Sequence, residues 1–152
     1  MKNIKEKINI KVVDRECSVY LKKNGDAGYD LYTLEDKWIF PFKVYKIPLN
    51  IKIELPDNKF GLITSRSGKS LEGIFVIPGI IDSNYRGLVS AITTRIGLLP
   101  KKIKKNTRIA QMIILDYNDY ILKEVNSLSQ SNRNSNGFGS SGDRWYPLFV
   151  IK

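Results

Sequence analysis

IPLNIKIEL, at residues 47–55, alternates apolar and polar side chains along most of its length. Successive side chains of a β-strand point to opposite faces of a sheet, so this alternation is typical of a half-buried strand. Pro56, Asp57 and Asn58 follow directly and indicate a turn. The pattern therefore predicts one strand over residues 47–55, with one face in the core.

Other segments resemble this one. Residues 8–12 alternate in the same way. Five more short segments are rich in Ile, Val, Phe, Tyr or Thr and are predicted strands: residues 60–64, 73–77, 88–96, 109–115 and 120–125. The best helical segment is short, at residues 67–71. Many short strands separated by turns favour an all-β fold, a closed sandwich or barrel.

The composition limits the chemistry that the chain can perform. The 152 residues suit a single domain, and they include no His and one Cys. This excludes Ser-His-Asp and Cys-His catalysis, His-ligated metals, internal disulfides and multi-Cys zinc clusters. Any catalysis must use carboxylates, Arg and Lys, hydroxyls, backbone amides or a cation that arrives with the substrate.

The charge balance points to anionic ligands. Lys and Arg number 25 and Asp and Glu 15, so the formal charge is 25 − 15 = +10. A field of this sign attracts nucleotides, nucleic acids and acidic membranes, although a lysine-rich solvated surface has the same composition. No apolar run approaches the ~18 residues of a membrane span, and residues 1–13 lack a signal-peptide pattern. We expect a protein of the cytoplasm or of a host-cell interior.

The composition changes near the C-terminus. Residues 126–142 contain six Ser, four Asn and three Gly, too few apolar residues to build a core. Residues 143–152 are again largely apolar. The predicted organisation is a β-barrel domain at 1–125, a Ser/Asn/Gly-rich segment at 126–142 and an apolar tail at 143–152.

Two segments carry the clearest chemistry. TSRSGKS at residues 64–70 combines an Arg, hydroxyls and a Gly, which suit a phosphate-binding loop. A basic surface loop without a ligand would have the same composition. GIIDSNYRG at residues 79–87 places Asp82 after an apolar run, with Tyr85 three residues later. A carboxylate there would deprotonate a water and the aromatic ring would face a sugar or base, unless the segment is simply a turn.

Three further segments also combine residues of interest, although any one of the five segments is weak evidence when taken singly. DAGYDL at residues 26–31 is typical of a turn that leads into a strand, and RIAQMI at residues 108–113 of a strand with two polar side chains. RNSNGFGSSG at residues 133–142 places Arg133 and Phe138 on a glycine-rich tether. That tether would fold over a nucleotide, with Phe138 on the base and Arg133 on the terminal phosphate, unless it is disordered.

In this order and spacing, the five segments resemble the five motifs of the trimeric dUTP pyrophosphatase (dUTPase) family. The resemblance runs from Asp26 to Gly142. It implies a jelly-roll subunit, a homotrimer with shared active sites, and hydrolysis of dUTP to dUMP and pyrophosphate, which keeps uracil out of DNA. It also implies Mg²⁺ as the cofactor, bound mainly by the triphosphate.

The resemblance assigns a role to each matching position. Asp82 would be the general base, and Tyr85 would pack under the deoxyribose and exclude a 2′-hydroxyl. The hairpin at residues 75–81 would read uracil, which involves Ile77, Gly79 and Ile81. The phosphates would be bound by Arg66, Ser67 and Gly68, with support from Arg108 and Gln111, and Asp30 would act on Mg²⁺ through water. The lid would comprise Arg133, Phe138, Gly139, Ser140 and Ser141.

Two alternatives remain open. A dCTP deaminase of the same superfamily would release ammonia from dCTP, and the Phe-bearing segment argues against it. A non-catalytic nucleotide-sensing or nucleic-acid-binding module would bind DNA in a salt-dependent way without turnover. The sequence contains no basic stripe interleaved with aromatic residues, so this feature of nucleic-acid-binding proteins does not support the second alternative.

Overall fold

The computed structural model describes residues 6–132 and Ser135, and its regular structure is almost all β. The strands are β1 (Asn9–Val12), β2 (Tyr20–Leu21), β3 (Tyr29–Tyr32), β4 (Lys37–Ile39), β5 (Val44–Pro48), β6 (Ile51–Glu54), β7 (Lys59–Ser65), β8 (Ile74–Ile77), β9 (Gly79–Ile81), β10 (Ser90–Arg95), β11 (Lys101–Ile103) and β12 (Arg108–Asp116). One helix, α1 (Ser67–Leu71), lies between β7 and β8.

The strands form a jelly-roll-like barrel from antiparallel sheets. The largest sheet has the order β2-β3-β12-β7-β9, and a second has the order β5-β10-β8. Two further pairs, β1-β6 and β11-β4, complete the layers. Their inward side chains form one apolar core that includes Leu31, Ile47, Ile63, Ile74 and Ile109. Burying each such side chain contributes about 1.5–3 kcal/mol, so the core holds the layers together.

For residues 47–55, the prediction of which side chains are buried is correct, but the prediction of one continuous strand is wrong. The alternate apolar residues are buried, as the pattern requires: Ile47, Leu49, Ile51, Ile53 and Leu55. The strand is broken at Leu49 and Asn50, because β5 pairs with β10 whereas β6 pairs with β1. The Asn50 side chain is fully buried at this break and bonds the backbone N–H and C=O of Asp14, at 2.8 and 2.7 Å.

Most other element predictions are confirmed. The segments at 8–12, 73–77 and 88–96 contain β1, β8 and β10, those at 60–64 and 109–115 lie within β7 and β12, and α1 spans the predicted helix. The strand predicted at residues 120–125 is wrong, because these residues belong to no ladder of the described chain. Its apolar composition favours a strand, but a strand also needs a neighbour to bond.

The internal contacts divide the chain into two units, Met1–Asp119 and Tyr120–Lys152. The first contains all the strands and the helix found in the described residues, and the described part of the second has no regular structure. Within the described residues, no helix has the length and apolar character needed to cross a membrane. The predicted lid residues at 133 and 138–141 and the tail at 143–152 lie outside the described residues, and the three-part division of the sequence stays a prediction.

Candidate active site

Three neighbouring strands bring residues from separate predicted motifs to one end of the large sheet. Gln111 of β12 lies opposite Asp30 of β3 on one side and opposite Thr64 of β7 on the other. Arg108 begins β12, and Arg66 directly follows the end of β7. The sheet therefore gathers the segments at residues 26–31, 64–70 and 108–113.

Asp30 lies between the two arginines. Arg66 Nε forms an ion pair with Asp30 Oδ1 at 2.8 Å, and Arg108 Nη1 forms one with Asp30 Oδ2 at 3.1 Å. Arg66 Nη1 also donates to the Arg108 backbone carbonyl at 3.0 Å. The Asp30 and Arg66 side chains are only 20% and 22% exposed. Because a guanidinium has five N–H donors, both arginines are oriented by Asp30 and keep donors for a ligand.

These residues border a polar pocket of about 370 Å³, which residues 26–28, Ser67 and Gln111 also line. Gly68, in the first turn of α1, has no other atoms within 4 Å of the position that a Cβ would take. A side chain at this position would therefore meet open space. The pocket therefore offers fixed guanidinium donors and a hydroxyl.

Gln111 is held by contacts that the sequence did not reveal. Its Nε2 donates to the Ser65 carbonyl at 2.8 Å. Its Oε1 lies 2.8 Å from where a Cβ on Gly28 would be, so any larger residue at position 28 would displace it. Ser65 and Gly28 therefore support the pocket, and only tertiary proximity identifies them.

The second predicted group lies on β8, β9 and the turn that follows. The Ser65 hydroxyl bonds both backbone groups of Val76, at 2.8 and 3.1 Å, and so fixes β8 against the end of β7. Ile77 is partly exposed, Gly79 has open space around it, and Ile81 packs against the core.

The turn after β9 presents Asp82 and Tyr85. The Tyr85 N–H donates to the Asp82 carbonyl at 3.1 Å, and the Tyr85 hydroxyl donates to the Leu88 carbonyl at 3.0 Å. A Cβ on Gly87 would overlap the Tyr85 hydroxyl and ring. Asp82 is exposed, and its carboxylate makes no hydrogen bond or ion pair with residues 6–132. The turn therefore fixes the tyrosine ring and leaves the carboxylate available.

The two groups are far apart within one chain. β7 and β9 are antiparallel, with Gly61 opposite Ile81, so the register places Asp82 next to Phe60. Arg66 lies at the other end of β7, six residues from Phe60, or roughly 20 Å at about 3.4 Å per residue. One chain therefore does not bring Asp82 to the arginine pocket.

The described residues contain no group of three or more His, Cys, Asp or Glu side chains close enough to hold a metal ion.

Comparisons with known proteins agree with this architecture. A sequence profile described as dUTPase matches residues 5–142, which is most of the chain.

The chain belongs to the dUTPase family.

Relatives of this family from bacteria and a virus share more than a third of the aligned residues. A deoxyuridine 5'-triphosphate nucleotidohydrolase of Clostridium tetani is 40% identical over 139 residues, 90% of this chain and 95% of that protein. One from Clostridium kluyveri is 37% identical, over 88% of this chain and 96% of the relative. The vaccinia virus (strain Copenhagen) protein of the same name is 38% identical, over 89% and 92%.

Solved dUTPases share the fold. A dUTPase of Staphylococcus bacteriophage 80alpha, in complex with dUpNHpp, superposes with a TM-score of 0.83 at 26% identity, over 91% of this chain and 99% of that chain. A dUTPase of phage phi11 of S. aureus, described with a structural Mg(II) ion, has a TM-score of 0.76 at 20% identity, over 82% and 100%. The likeness to the second shows the jelly-roll fold alone.

Proposed function

We propose that the chain hydrolyses dUTP to dUMP and pyrophosphate as a homotrimer, with Asp82 as the general base. The observation that carries this proposal is the pair of arginines held by one carboxylate, Arg66 and Arg108 on Asp30, at a pocket that Ser67 also lines. Family membership and the printed names of the relatives support the substrate. Because the substrate is a DNA precursor, the proposed place of action is the cytoplasm or a host-cell interior.

The phosphate half of the site uses oriented donors. Arg66 and Arg108 would contact the phosphate oxygens with the N–H groups that Asp30 leaves free. The Ser67 hydroxyl and the backbone of Gly68 would add neutral donors, and Gln111 would keep β12 and β7 in place. Fixed donors stabilise charge that develops in the transition state without reorganising first.

The nucleoside half uses the hairpin and the turn. The backbone around Ile77, Gly79 and Ile81 would bond the uracil edge. The Tyr85 ring would pack under the deoxyribose and leave no room for a 2′-hydroxyl, which rejects ribonucleotides by steric exclusion.

Asp82 would accept a proton from water as that water attacks the α-phosphorus in line. The new bond joins the water oxygen to the α-phosphorus, and the bond between that phosphorus and the bridging oxygen breaks. Pyrophosphate leaves with the electron pair, and the arginines balance its charge. An aspartate that is exposed and makes no bond to the described part of the chain is suited to this role.

The separation of roughly 20 Å between Asp82 and Arg66 supports sites shared between subunits. An Asp82 from one chain would meet the arginine pocket of the next, which a cyclic trimer repeats three times. The outer face of the β5-β10-β8 sheet, with Val44, Ile77 and Ile92 exposed, supplies apolar surface for such a contact.

Magnesium fits as a cation bound mainly by the triphosphate. Mg²⁺ in nucleotide sites commonly keeps several waters and takes few protein ligands. Asp30 would hold it through water, since each of its oxygens keeps a lone pair beyond its arginine bond. When bound, the ion withdraws negative charge from the phosphate oxygens.

The C-terminal segment would close over this complex. Arg133, Phe138, Gly139, Ser140 and Ser141 would form the lid, with Phe138 on the base and Arg133 on the terminal phosphate. Closure would exclude bulk solvent from the site and leave the attacking water inside.

Gly87→Ala should weaken the discrimination between dUTP and UTP. The new methyl group would displace the Tyr85 ring that excludes the 2′-hydroxyl. We expect the ratio of kcat/KM for dUTP over UTP to fall by about tenfold or more. Tyr85→Phe is the matched control, because it removes the bond to Leu88 and keeps the ring. An unchanged ratio in a folded Gly87→Ala protein would reject the role of the ring.

Incubation of the purified protein with each deoxynucleoside triphosphate and Mg²⁺ tests the proposed reaction. We expect pyrophosphate and dUMP from dUTP and no turnover of the others. Ammonia from dCTP would indicate a deaminase instead. Salt-dependent DNA binding without any dUTP turnover would indicate a non-catalytic module.

A further inference from the structure

We propose that Lys23 is a third cationic ligand for the phosphates, acting on the outer part of the triphosphate that leaves as pyrophosphate. This inference rests on the proposed function. Lys23 lies before the first predicted motif and is not among the site residues inferred from the sequence. It lines the same pocket as Arg66 and Arg108.

The turn that carries Lys23 is fixed while its ammonium group is left available. The Lys23 N–H donates to Asp26 Oδ2 at 2.9 Å, and the Asp26 N–H donates to the Lys23 carbonyl at 3.2 Å. Within residues 6–132, the Lys23 side chain makes no hydrogen bond or ion pair. The backbone therefore holds the residue at the pocket rim and leaves three N–H donors for a ligand.

The preceding lysine differs in this respect. Lys22 Nζ donates to the Ala27 carbonyl at 3.0 Å and lies 4.4 Å from the centre of the Tyr29 ring. Two adjacent lysines thus have the same charge and similar exposure, but only one of them lines the pocket. Lys22 is therefore a matched control for Lys23.

Lys23 changes the formal charge of the pocket lining. Without it, the ionised lining is Arg66 and Arg108 against Asp26 and Asp30, so the formal charge is 2 − 2 = 0. With Lys23, the sum is 3 − 2 = +1. A magnesium triphosphate still carries net negative charge. Lys23 gives the pocket lining a net positive charge, which adds to the attraction that the chain's formal charge of +10 exerts.

The position of Lys23 suggests which phosphates it contacts. Lys23 is exposed, whereas Arg66 and Asp30 are mostly buried. With the inner phosphates assigned to Arg66, Ser67 and Gly68, the rim lysine faces the β- and γ-phosphates.

Lys23→Ala tests this assignment. We expect the dissociation constant for pyrophosphate with Mg²⁺, measured by calorimetry, to rise about tenfold, as for the loss of one charge-assisted bond. The KM for dUTP should rise by a similar factor, with kcat within about twofold and dUMP affinity unchanged. Lys23→Arg should restore most of the affinity, and Lys22→Ala should change it by less than about twofold.

The outcomes separate this inference from the proposed function. Unchanged pyrophosphate affinity in Lys23→Ala, or an equal loss in Lys22→Ala, would overturn the role of Lys23 whether or not dUTP is hydrolysed. A tenfold loss confined to Lys23→Ala would support it even if wild-type protein showed no dUTP turnover, which would reject the proposed reaction alone. Equal thermal midpoints for both variants and the wild type would show that the fold is intact.

Discussion

Asp82→Asn should lower the turnover of dUTP by about 10²–10⁴-fold and leave nucleotide affinity close to that of the wild type. The amide has nearly the shape of the carboxylate but takes no proton from water. Asp82 is exposed and unbonded within the described residues, so the substitution leaves no buried group without a partner. Steady-state kcat and the dissociation constant for dUpNHpp measure the two effects separately.

Asp57→Asn is the control for this substitution. It removes the same charge from another exposed turn, after β6. We expect it to leave kcat unchanged. If Asp82→Asn retained near-normal turnover, another group would have to activate the water, and the proposed role of Asp82 would be rejected.

Arg66→Ala should lower kcat/KM for dUTP by about 10²–10³-fold, the usual cost of losing a fixed donor at developing charge. The change removes a phosphate donor and also one of the two cations that orient Asp30. Asp30 would then be ion-paired to Arg108 alone, and the Arg108 side chain would shift in the pocket.

Arg66→Lys separates charge from geometry. A lysine keeps the positive charge but has no planar fork to bond Asp30 and the Arg108 carbonyl together. We expect kcat/KM to recover only partly, by about tenfold over Arg66→Ala. Full recovery in the lysine variant would mean that charge alone matters and that the arrangement around Asp30 does not.

The sequence predicted the fold class and the faces of its strands, because both depend on local alternation. The residues at 47, 49, 51, 53 and 55 are buried as predicted. The change of sheet at Asn50 depends on bonds to Asp14, 36 residues away, which local pattern does not encode. The segment at 120–125 has strand composition, but pairing requires a neighbour that composition cannot supply.

The candidate site was predictable in its residue types and less so in its geometry. The segments around Arg66 and Arg108 were identified from charge, hydroxyls and glycine. Their common dependence on Asp30 was not, because Asp30 and Arg108 are 78 residues apart in the chain. The close approach of Gly28 to Gln111 and the available ammonium of Lys23 likewise appear only in three dimensions.

The central claim is that one active site combines Asp82 of one subunit with Arg66 of another, and mixed oligomers test it directly. Asp82→Asn and Arg66→Ala chains carrying different affinity tags are co-expressed, and hybrids are isolated by both tags. In each hybrid trimer, one of the three sites combines Asp82 from an Arg66→Ala chain with Arg66 from an Asp82→Asn chain. We therefore predict about one third of the wild-type dUTP turnover. Turnover no higher than that of the separate variants would contradict the shared site.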